Sequence, residues 1–544
     1  MNRFKNLVLT LTSGVLFGLG WPPNGIPFVL FIAFVPLFIV EETIAKDIQG
    51  AKVWRVFLYA YLAFIVWHAI SVWWIWNASD FGALLAIVLN AFFMASVFGL
   101  YSWTKNIFDK KNPMYFILIV YWIAFEYFHF DWQLSFPWLN LGNAFAKYPS
   151  LIQWYEYTGI LGGSLWILLI NIGFFKLIPL FTLRKNKQLL LLSAGIGTLI
   201  IAPLLFSYLR YISYSEKNNP VSIVVVQPNM DPYSEQYDAP PQEVLNRIIR
   251  LSKPLIDANT DFLIAPESAI QEHLQEPDFN FSASLESNGV SIPILKDYLA
   301  NYPNLNLIIG ASTYKFLKEP TNTARTTKSG LIYDEYNTAL LLNRLDIREH
   351  YHKSKFVPGA EMMPFQKLLA PLQEIAFDLG GTVGSLGYDT ERKVFHSADK
   401  QFVVGPMVCY ESVYGEFVSG FVQNGAEILF IITNDGWWGN TSGYKQHLMF
   451  SSLRAIETRR SIARSANTGI SCFVNQRGDL IEKTDYWKQD ARKAIINANN
   501  TITFYVRYGD YLGRISSFVA VLFLLISLSM RGRRLGKSLN NHHL

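Results

Sequence analysis

Apolar positions along the chain fall into two regimes. Up to about residue 210 they form long runs broken by short polar segments, and from about 215 to 508 they form short β-branched runs alternating with amphipathic stretches. One further long run closes the chain. A helix rises 1.5 Å per residue and a bilayer's hydrocarbon core is roughly 30 Å thick, so about 20 apolar residues cross it. Eight stretches are candidate spans: 7–20, 26–40, 53–76, 81–101, 114–130, 159–178, 189–208 and 515–530. The turn Trp21-Pro22-Pro23-Asn24-Gly25 makes a helical hairpin of the first two.

Basic residues occupy every second connection: Arg3 and Lys5, then Lys46, Lys52 and Arg55, then Lys105, Lys110 and Lys111, then Arg184, Lys185 and Lys187, and finally Arg531, Arg533 and Arg534. The alternate loops 21–25, 77–80 and 131–157 carry only Lys147. Cytoplasmic loops are enriched in Lys and Arg, which predicts cytoplasmic termini and an external α/β domain. The expected organisation is a membrane domain over 1–214 with spans one to seven, a soluble α/β domain over 215–508, and span eight with a cytoplasmic tail over 509–544.

Composition sharpens this picture. The 544 residues are 51% hydrophobic and only 16% charged, against roughly a quarter charged in soluble proteins. The net charge of +5 comes largely from clusters flanking the apolar runs, which reads as topology and not as a nucleic-acid surface. The two cysteines, Cys409 and Cys472, lie on separate predicted strands, and no Cys/His spacing resembles a zinc site. No metal and no cofactor are expected. Glu126 is an intramembrane carboxylate, a group that marks either a functional site or a structural polar network.

In the soluble region, Val221–Val226 is a strand ending at Gln227-Pro228-Asn229, and residues 242–256 have helical spacing. The run Phe262-Leu263-Ile264-Ala265-Pro266 is a second strand that ends in Glu267. Further strands are predicted at 306–310, 331–333, 338–342, 427–433 and around Cys472, with a strongly charged helix over 444–466. The run Phe402-Val403-Val404 leads through Gly405-Pro406-Met407-Val408 to Cys409, placing a thiol where a strand ends and the chain turns. Strand ends suit nucleophiles because a rigid sheet holds the side chain at its edge; a buried structural thiol fits the same pattern equally well. Glu267 would accept the thiol proton and return it to a leaving group, and Lys353, in Tyr351-His352-Lys353, would stabilise an oxyanion. Each alone is equally an ordinary surface residue.

Taken together the motifs are more specific. The order Glu267, Lys353, Cys409 resembles the triad of the nitrilase superfamily, and the local words resemble its membrane branch, the apolipoprotein N-acyltransferases, along nearly the whole chain. The carrying motifs are Ala265-Pro266-Glu267-Ser268, Tyr351-His352-Lys353 with Val357-Pro358-Gly359-Ala360-Glu361, and Cys409-Tyr410-Glu411. Thr433-Asn434-Asp435-Gly436-Trp437-Trp438, Arg464-Ser465-Ala466-Asn467-Thr468-Gly469 and Phe136-Pro137-Trp138-Leu139-Asn140-Leu141-Gly142 add to them.

The resemblance implies an eight-helix membrane bundle carrying an extracytoplasmic αββα sandwich in the bacterial inner membrane. It implies Glu267 as general base, Lys353 as oxyanion stabiliser and Cys409 as nucleophile, with Glu361 and Glu411 supporting them and Tyr410 flanking the acyl chain. Tyr237, Phe417, Trp437, Trp438 and Trp138 are candidate lipid or substrate contacts. Two departures stand out: the stretch Glu235-Gln236-Tyr237 lacks the cation that the family often carries there, and Gly359-Ala360-Glu361 replaces the commoner Phe before Gly-Glu. The implied reaction is ping-pong: a monomer takes an acyl chain from a phospholipid onto Cys409 and passes it to the N-terminal amine of a diacylglyceryl apolipoprotein. A membrane-tethered amide hydrolase uses the same three residues. A transporter with a binding ectodomain would show paired repeats and broken helices, and the sequence shows no internal repeat.

Overall fold

The computed structural model describes residues 2–46, 53–108, 114–236, 238–276, 289–345, 347–365 and 385–540. The chain forms two compact units: Met1–Trp73 with Ala83–Leu209 and Asp510–Leu544, and Trp74–Gly82 with Arg210–Gly509. The first unit is helical. Its helices are α1 (Asn2–Leu19), α2 (Val35–Ala45), α3 (Val53–Val72), α4 (Asp80–Ile107), α5 (Phe116–Phe128), α6 (Tyr155–Thr182), α7 (Asn186–Ser213) and a last helix, Tyr511–Asn540. All eight apolar runs fall on helices. Among the described residues, six segments are long and apolar enough to cross a membrane, Pro27–Ala45, Val53–Asn77, Asp80–Ile107, Tyr155–Thr182, Asn186–Ser213 and Tyr511–Arg533; α1, with 18 residues, and α5, with 13, fall outside that set.

Among the described residues, several buried polar and charged groups of this unit are paired within it, as lipid favours. The chain breaks between the 3-10 turn Pro27–Ile32 and α2, and Asn171 mends the gap: its Oδ1 accepts from Phe34 N at 2.8 Å and its Nδ2 donates to Leu30 O at 2.7 Å. Lys105 pairs with Glu41, both buried, and Ser102 Oγ donates to Glu41 at 2.8 Å. Glu126 resolves as part of a structural network, accepting on Oε1 from Trp122 Nε1 at 3.0 Å and from Leu141 N at 2.8 Å. That contact organises the Phe136–Gly142 motif, which folds into 3-10 turns Pro137–Leu139 and Leu141–Lys147. Gly142 is required there because a Cβ would lie 1.9 Å from Ile160 O. Outward, Leu190, Ile201, Phe518 and Leu528 expose their side chains on α7 and the last helix, a surface suited to lipid.

The second unit contains two sheets. The first holds β1 (Pro220–Gln227), β2 (Phe262–Ile264), β3 (Ile270–Gln275), β4 (Asn306–Phe316), β5 (Arg325–Thr326), β6 (Ile332–Leu342) and β7 (Ile347–His352). The second holds β8 (Phe395–His396), β9 (Val403–Val408), β10 (Ile428–Thr433), β11 (Ser461–Ala466), β12 (Cys472–Val474) and β13 (Leu480–Ile481); β14 (Asp490–Asn497) returns to the first. The order is β14-β1-β2-β4-β6-β5, with β3 on β4 and β7 on β6, and β13-β12-β11-β10-β9-β8. Alternation along β1 divides the layers, because successive side chains face opposite ways. Val221, Ile223 and Val225 enter the core shared with Val404, Met407, Ile431 and Phe473 of the second sheet. Val224 and Val226 face the other core, under α8 (Pro241–Ser252) and the helix Ser291–Ala300. The layers are therefore helix, sheet, sheet and helix, with Gly415–Gln423 and Ser442–Thr458 on the far side.

Strand β9 runs on past Val404 through Gly405 and Pro406. Proline is tolerated because β8 pairs only with Val403 and Val404, leaving no ladder partner on that side of Pro406. The charged stretch 444–466 is not one helix. It ends at Thr458, Arg459 turns left-handed at φ 51°, and Ser461–Ala466 becomes β11, parallel to β10. Its charges are buried and paired, not solvated: Arg454 Nη2 donates to Glu457 Oε1 at 2.9 Å and Nη1 to Val413 O at 2.6 Å, while Arg460 Nε donates to Ala426 O at 2.7 Å. Removing one partner leaves an uncompensated buried charge. Glu457→Leu is expected to cost about 3–5 kcal/mol, read as a lowered unfolding midpoint of the detergent-solubilised protein.

Candidate active site

Three strand ends converge. The segment after β2 continues beside β4, with Ala265 N donating to Ile308 O at 2.8 Å and Gly310 N to Pro266 O at 3.1 Å, and this carries Glu267 to the sheet edge. The approach needs a glycine on β4: a Cβ on Gly310 would lie 2.6 Å from Glu267 Cα. Lys353 follows the last residue of β7, and Cys409 follows the last residue of β9 in a left-handed turn with φ 52°. A non-glycine residue there is strained, and such strain persists only where surroundings hold it.

The supports are visible. Glu411 is fully buried and accepts from Tyr351 Oη at 2.6 Å, Ser354 N at 2.6 Å and Val408 N at 2.7 Å, so it joins the end of β7 to the end of β9. Burial pushes its carboxyl up to about 7 against those three donors. The Cys409 carbonyl accepts from Ser412 Oγ at 2.8 Å and lies 3.3 Å from His447 Nε2. His447 Nδ1 lies 2.9 Å from Asp435 Oδ1, and Arg464 Nη2 donates to Asp435 Oδ2 at 2.6 Å.

The charged groups themselves are mutually bonded. Lys353 Nζ donates to Glu267 Oε1 at 3.0 Å and to Glu361 Oε1 at 2.6 Å, and Glu361 Oε2 accepts from Val357 N at 2.9 Å. Asn337 Nδ2 also donates to Glu267 Oε1, at 2.8 Å. Burial by itself favours the neutral amine of Lys353, but Glu267 and Glu361 hold it protonated, well above the ordinary lysine value. Burial and the Glu267 charge push the Cys409 thiol up, and Lys353 opposes them. Cys409 is a half-buried free thiol beside an ammonium that could meet an oxyanion. This is the equipment for attack on an acyl carbonyl.

Other expected site residues lie differently. Tyr410 is buried edge-on to Tyr414 at 5.4 Å. Phe417 packs on Phe421 with the Arg392 guanidinium 4.9 Å from its ring centroid. Trp138, a candidate lipid or substrate contact, is only 1% exposed: its motif is tied inward through Glu126 and Asn143. Tyr237 lies outside the described residues. Trp437 and Trp438 are half-buried, against Tyr233 at 5.2 Å and against Trp74 at 4.9 Å, respectively. Residues 74–82, expected as the end of the third span, the loop 77–80 and the start of the fourth span, belong to this unit: Asn77 Nδ2 donates to Trp438 O at 2.9 Å and Trp74 Nε1 to Gln446 Oε1 at 3.2 Å. The sequence reading missed Asn337, Ser412 and His447 as supports. Asn337 and His447 find their partners on other elements, so no local spacing marks them, whereas Ser412 bonds the Cys409 carbonyl three residues back in the same 3-10 turn. Among the described residues, Glu276, His350 and His352 alone group as donors suited to a metal ion.

Residues 223–503, more than half of the chain, match the family model described as Carbon-nitrogen hydrolase, and residues 13–173 match that of the Apolipoprotein N-acyltransferase N-terminal domain. The protein named apolipoprotein N-acyltransferase in Chlorobaculum tepidum is 26% identical over 540 residues, covering 96% of each chain. The one so named in Thermotoga maritima is 25% identical over 554 residues, covering 98% of this chain and 96% of its own. Among solved structures, Nit3 of Saccharomyces cerevisiae, a member of branch 10 of the nitrilase superfamily, matches 52% of this chain and 93% of its own at 13% identity and a TM-score of 0.37.

Two outcomes follow from the geometry. Gly310→Ala is expected to displace Glu267 and slow acylation of Cys409 by an activated ester roughly 10²-fold, with the far-ultraviolet circular dichroism unchanged. Burial alone would raise the Asp435 carboxyl, but Arg464 and His447 outweigh it and pull it from 3.8 to about 2. A depressed folded pKa means the unfolded chain binds the proton first. The stability from this group is therefore complete above about 3.8 and lost as pH falls through about 2, on the order of 2 kcal/mol. Asp435→Asn should flatten that limb of an acid-unfolding curve.

Proposed function

The chain belongs to the carbon-nitrogen hydrolase family, and from that premise we propose that it transfers the acyl chain of a phospholipid to the N-terminal cysteine amine of a diacylglyceryl apolipoprotein, through a thioester on Cys409. It is a membrane-associated acyltransferase acting on lipoproteins, in keeping with its full-length relatives and its apolar helices. The observation that carries the mechanism is the Lys353 ammonium bonded between Glu267 and Glu361, at the end of the strand that Glu411 ties to the end of β9 and so to Cys409.

Glu267 takes the thiol proton as sulfur attacks the acyl carbonyl of the phospholipid. The tetrahedral oxyanion accepts from the third N–H of Lys353. Collapse breaks the ester bond, Glu267 returns the proton to the departing alkoxide, and a lysophospholipid leaves a thioester on Cys409. The lipoprotein amine then attacks the thioester carbonyl, Glu267 collects the amine proton, and the thiol is restored with it as the amide forms. Glu267 can do this because both fixed contacts use its Oε1, which keeps Oε2 for the moving proton. Both substrates are lipid-anchored, so a site at the membrane surface meets them at high effective concentration.

In this reading the eight helical runs all span the inner membrane, both termini are cytoplasmic, and a monomer presents its catalytic unit to the periplasm. Alternation of basic loops supports that orientation. Glu411 and the His447 contacts hold the nucleophile turn, and Trp437 and Trp438 border the acyl chain. Mass spectrometry of the protein with phospholipid should find an acyl group on Cys409 that leaves when a diacylglyceryl lipopeptide with a free amine is added and appears on that peptide. Cys409→Ala should lower turnover by several orders of magnitude, and Glu267→Gln by roughly 10²–10⁴-fold. Release of free fatty acid at the same rate without acceptor would make it a hydrolase instead, and no acyl adduct on Cys409 would end the proposal.

A further inference from the structure

We propose that Glu276, His350 and His352 bind a borderline divalent transition-metal ion of the zinc type, at a site next to Lys353 in the chain and independent of the acyl-transfer chemistry. His350 and His352 are two apart on β7 and share one face of the sheet, their ring centroids 5.0 Å apart. Glu276 follows the last residue of β3 and is docked on β4 by its N–H, which donates to Tyr314 O at 2.7 Å. Strand β4 pairs β6, and β6 pairs β7, so three neighbouring pairings bring the carboxylate to the two imidazoles. One donor atom from each residue lies within 4.8 Å of the other two. Zinc–nitrogen and zinc–oxygen bonds of about 2.0–2.2 Å set tetrahedral donors roughly 3.3–3.6 Å apart, so a pair as wide as 4.8 Å closes by a little over 1 Å around the ion.

The surroundings carry the argument further. Ligating histidines usually give their other nitrogen to a carboxylate, and ligating carboxylates are themselves hydrogen-bonded. Here His352 Nε2 faces Glu276 Oε1 at 2.9 Å while its Nδ1 lies 3.3 Å from Asp389 Oδ1. Glu276 Oε1 accepts from Thr313 Oγ1 at 2.5 Å, and Thr313 Oγ1 lies 2.6 Å from Thr338 Oγ1. The Tyr336 ring stacks on His352 at 4.0 Å and fixes its plane. Glu276 and His352 are buried and His350 is half-buried. Asp389 is in turn paired with Lys393 at 2.8 Å and accepts from His352 N at 3.0 Å. Two nitrogen donors and one carboxylate suit zinc, cobalt or nickel better than calcium or magnesium. On binding, the ion takes the place of the proton shared by His352 and Glu276, which passes to solvent. The ion would tie the end of β3 to the end of β7 and so fix the strand from which Lys353 projects.

The test uses the full chain in detergent, stripped with a chelator and titrated with Co²⁺ and then Zn²⁺. The expected result is one Co²⁺ per chain with the ligand-field absorption of a nitrogen and oxygen site, displaced by Zn²⁺, and a thermal midpoint raised by either metal. Glu276→Gln, which keeps the side-chain shape, and His350→Phe should each weaken binding at least tenfold; replacing the terminal His542 and His543 with Ala should leave it unchanged. Binding that survives Glu276→Gln and His350→Phe but disappears with the terminal histidines would overturn the site, as would the absence of stoichiometric metal binding in the unaltered chain. No readout depends on acyl transfer, so the two proposals fail separately.

Discussion

One buried carboxylate holds the catalytic unit in register. Glu411 has no access to water and is met by three donors, two from the end of β7 and one from the end of β9. The two strands belong to different sheets, whose packing through apolar side chains is non-directional. Apolar contact alone would allow the sheets to slide. A carboxylate with three fixed N–H and O–H partners does not, because each lost contact leaves a buried polar group unpaired. Lys353 and Cys409 are the residues adjacent to those two strand ends, so the clamp on the backbone is also the clamp on the chemistry.

The same logic recurs where charge is buried. Lys353 is enclosed by two carboxylates, Arg464 by Asp435 and Arg454 by Glu457. Such pairs add little to stability over a hydrophobic replacement, yet they are expensive to break. Their value lies in geometry. The two carboxylates hold Lys353 as an ammonium without help from solvent, while burial and the Glu267 charge push the neighbouring Cys409 thiol up. On the proposed mechanism the three groups are already in place before an acyl group arrives, so little reorganisation is left for the reaction itself.

In the helical unit the polar interior serves a different end. Asn171 supplies both a donor and an acceptor across the break before α2, and Glu126 gathers Trp122 and the turn at Leu141. Each closes a backbone or side-chain vacancy that lipid would leave unpaired. The aromatic motif around Trp138 is folded inward for that reason, and its tryptophan is spent on packing, not on contact with lipid.

Much of this architecture is legible in one dimension. The eight apolar runs lie on helices because span length and hydrophobicity are local quantities. Glu267 and Cys409 come to strand ends because each follows a short apolar run, whereas the strand before Lys353, Ile347–His352, is largely polar and is set by its pairing with β6. The helix expected through 444–466 fails at Arg459 because Ser461–Ala466 fills the position beside β10, and pairing partners are a tertiary matter. His447, Asn337 and Glu276 carry no mark of their roles, since their partners lie 38, 70 and 76 residues away. Residue order alone is enough for the apolar helices, for most of the buried strands and for the residue types at their ends, because periodicity and turn chemistry act over a few residues. Only the packing of one sheet on the other decided which carboxylates meet the lysine and what holds the nucleophile's turn, because hydrogen bonds and ion pairs depend on distances in space that residue order does not fix.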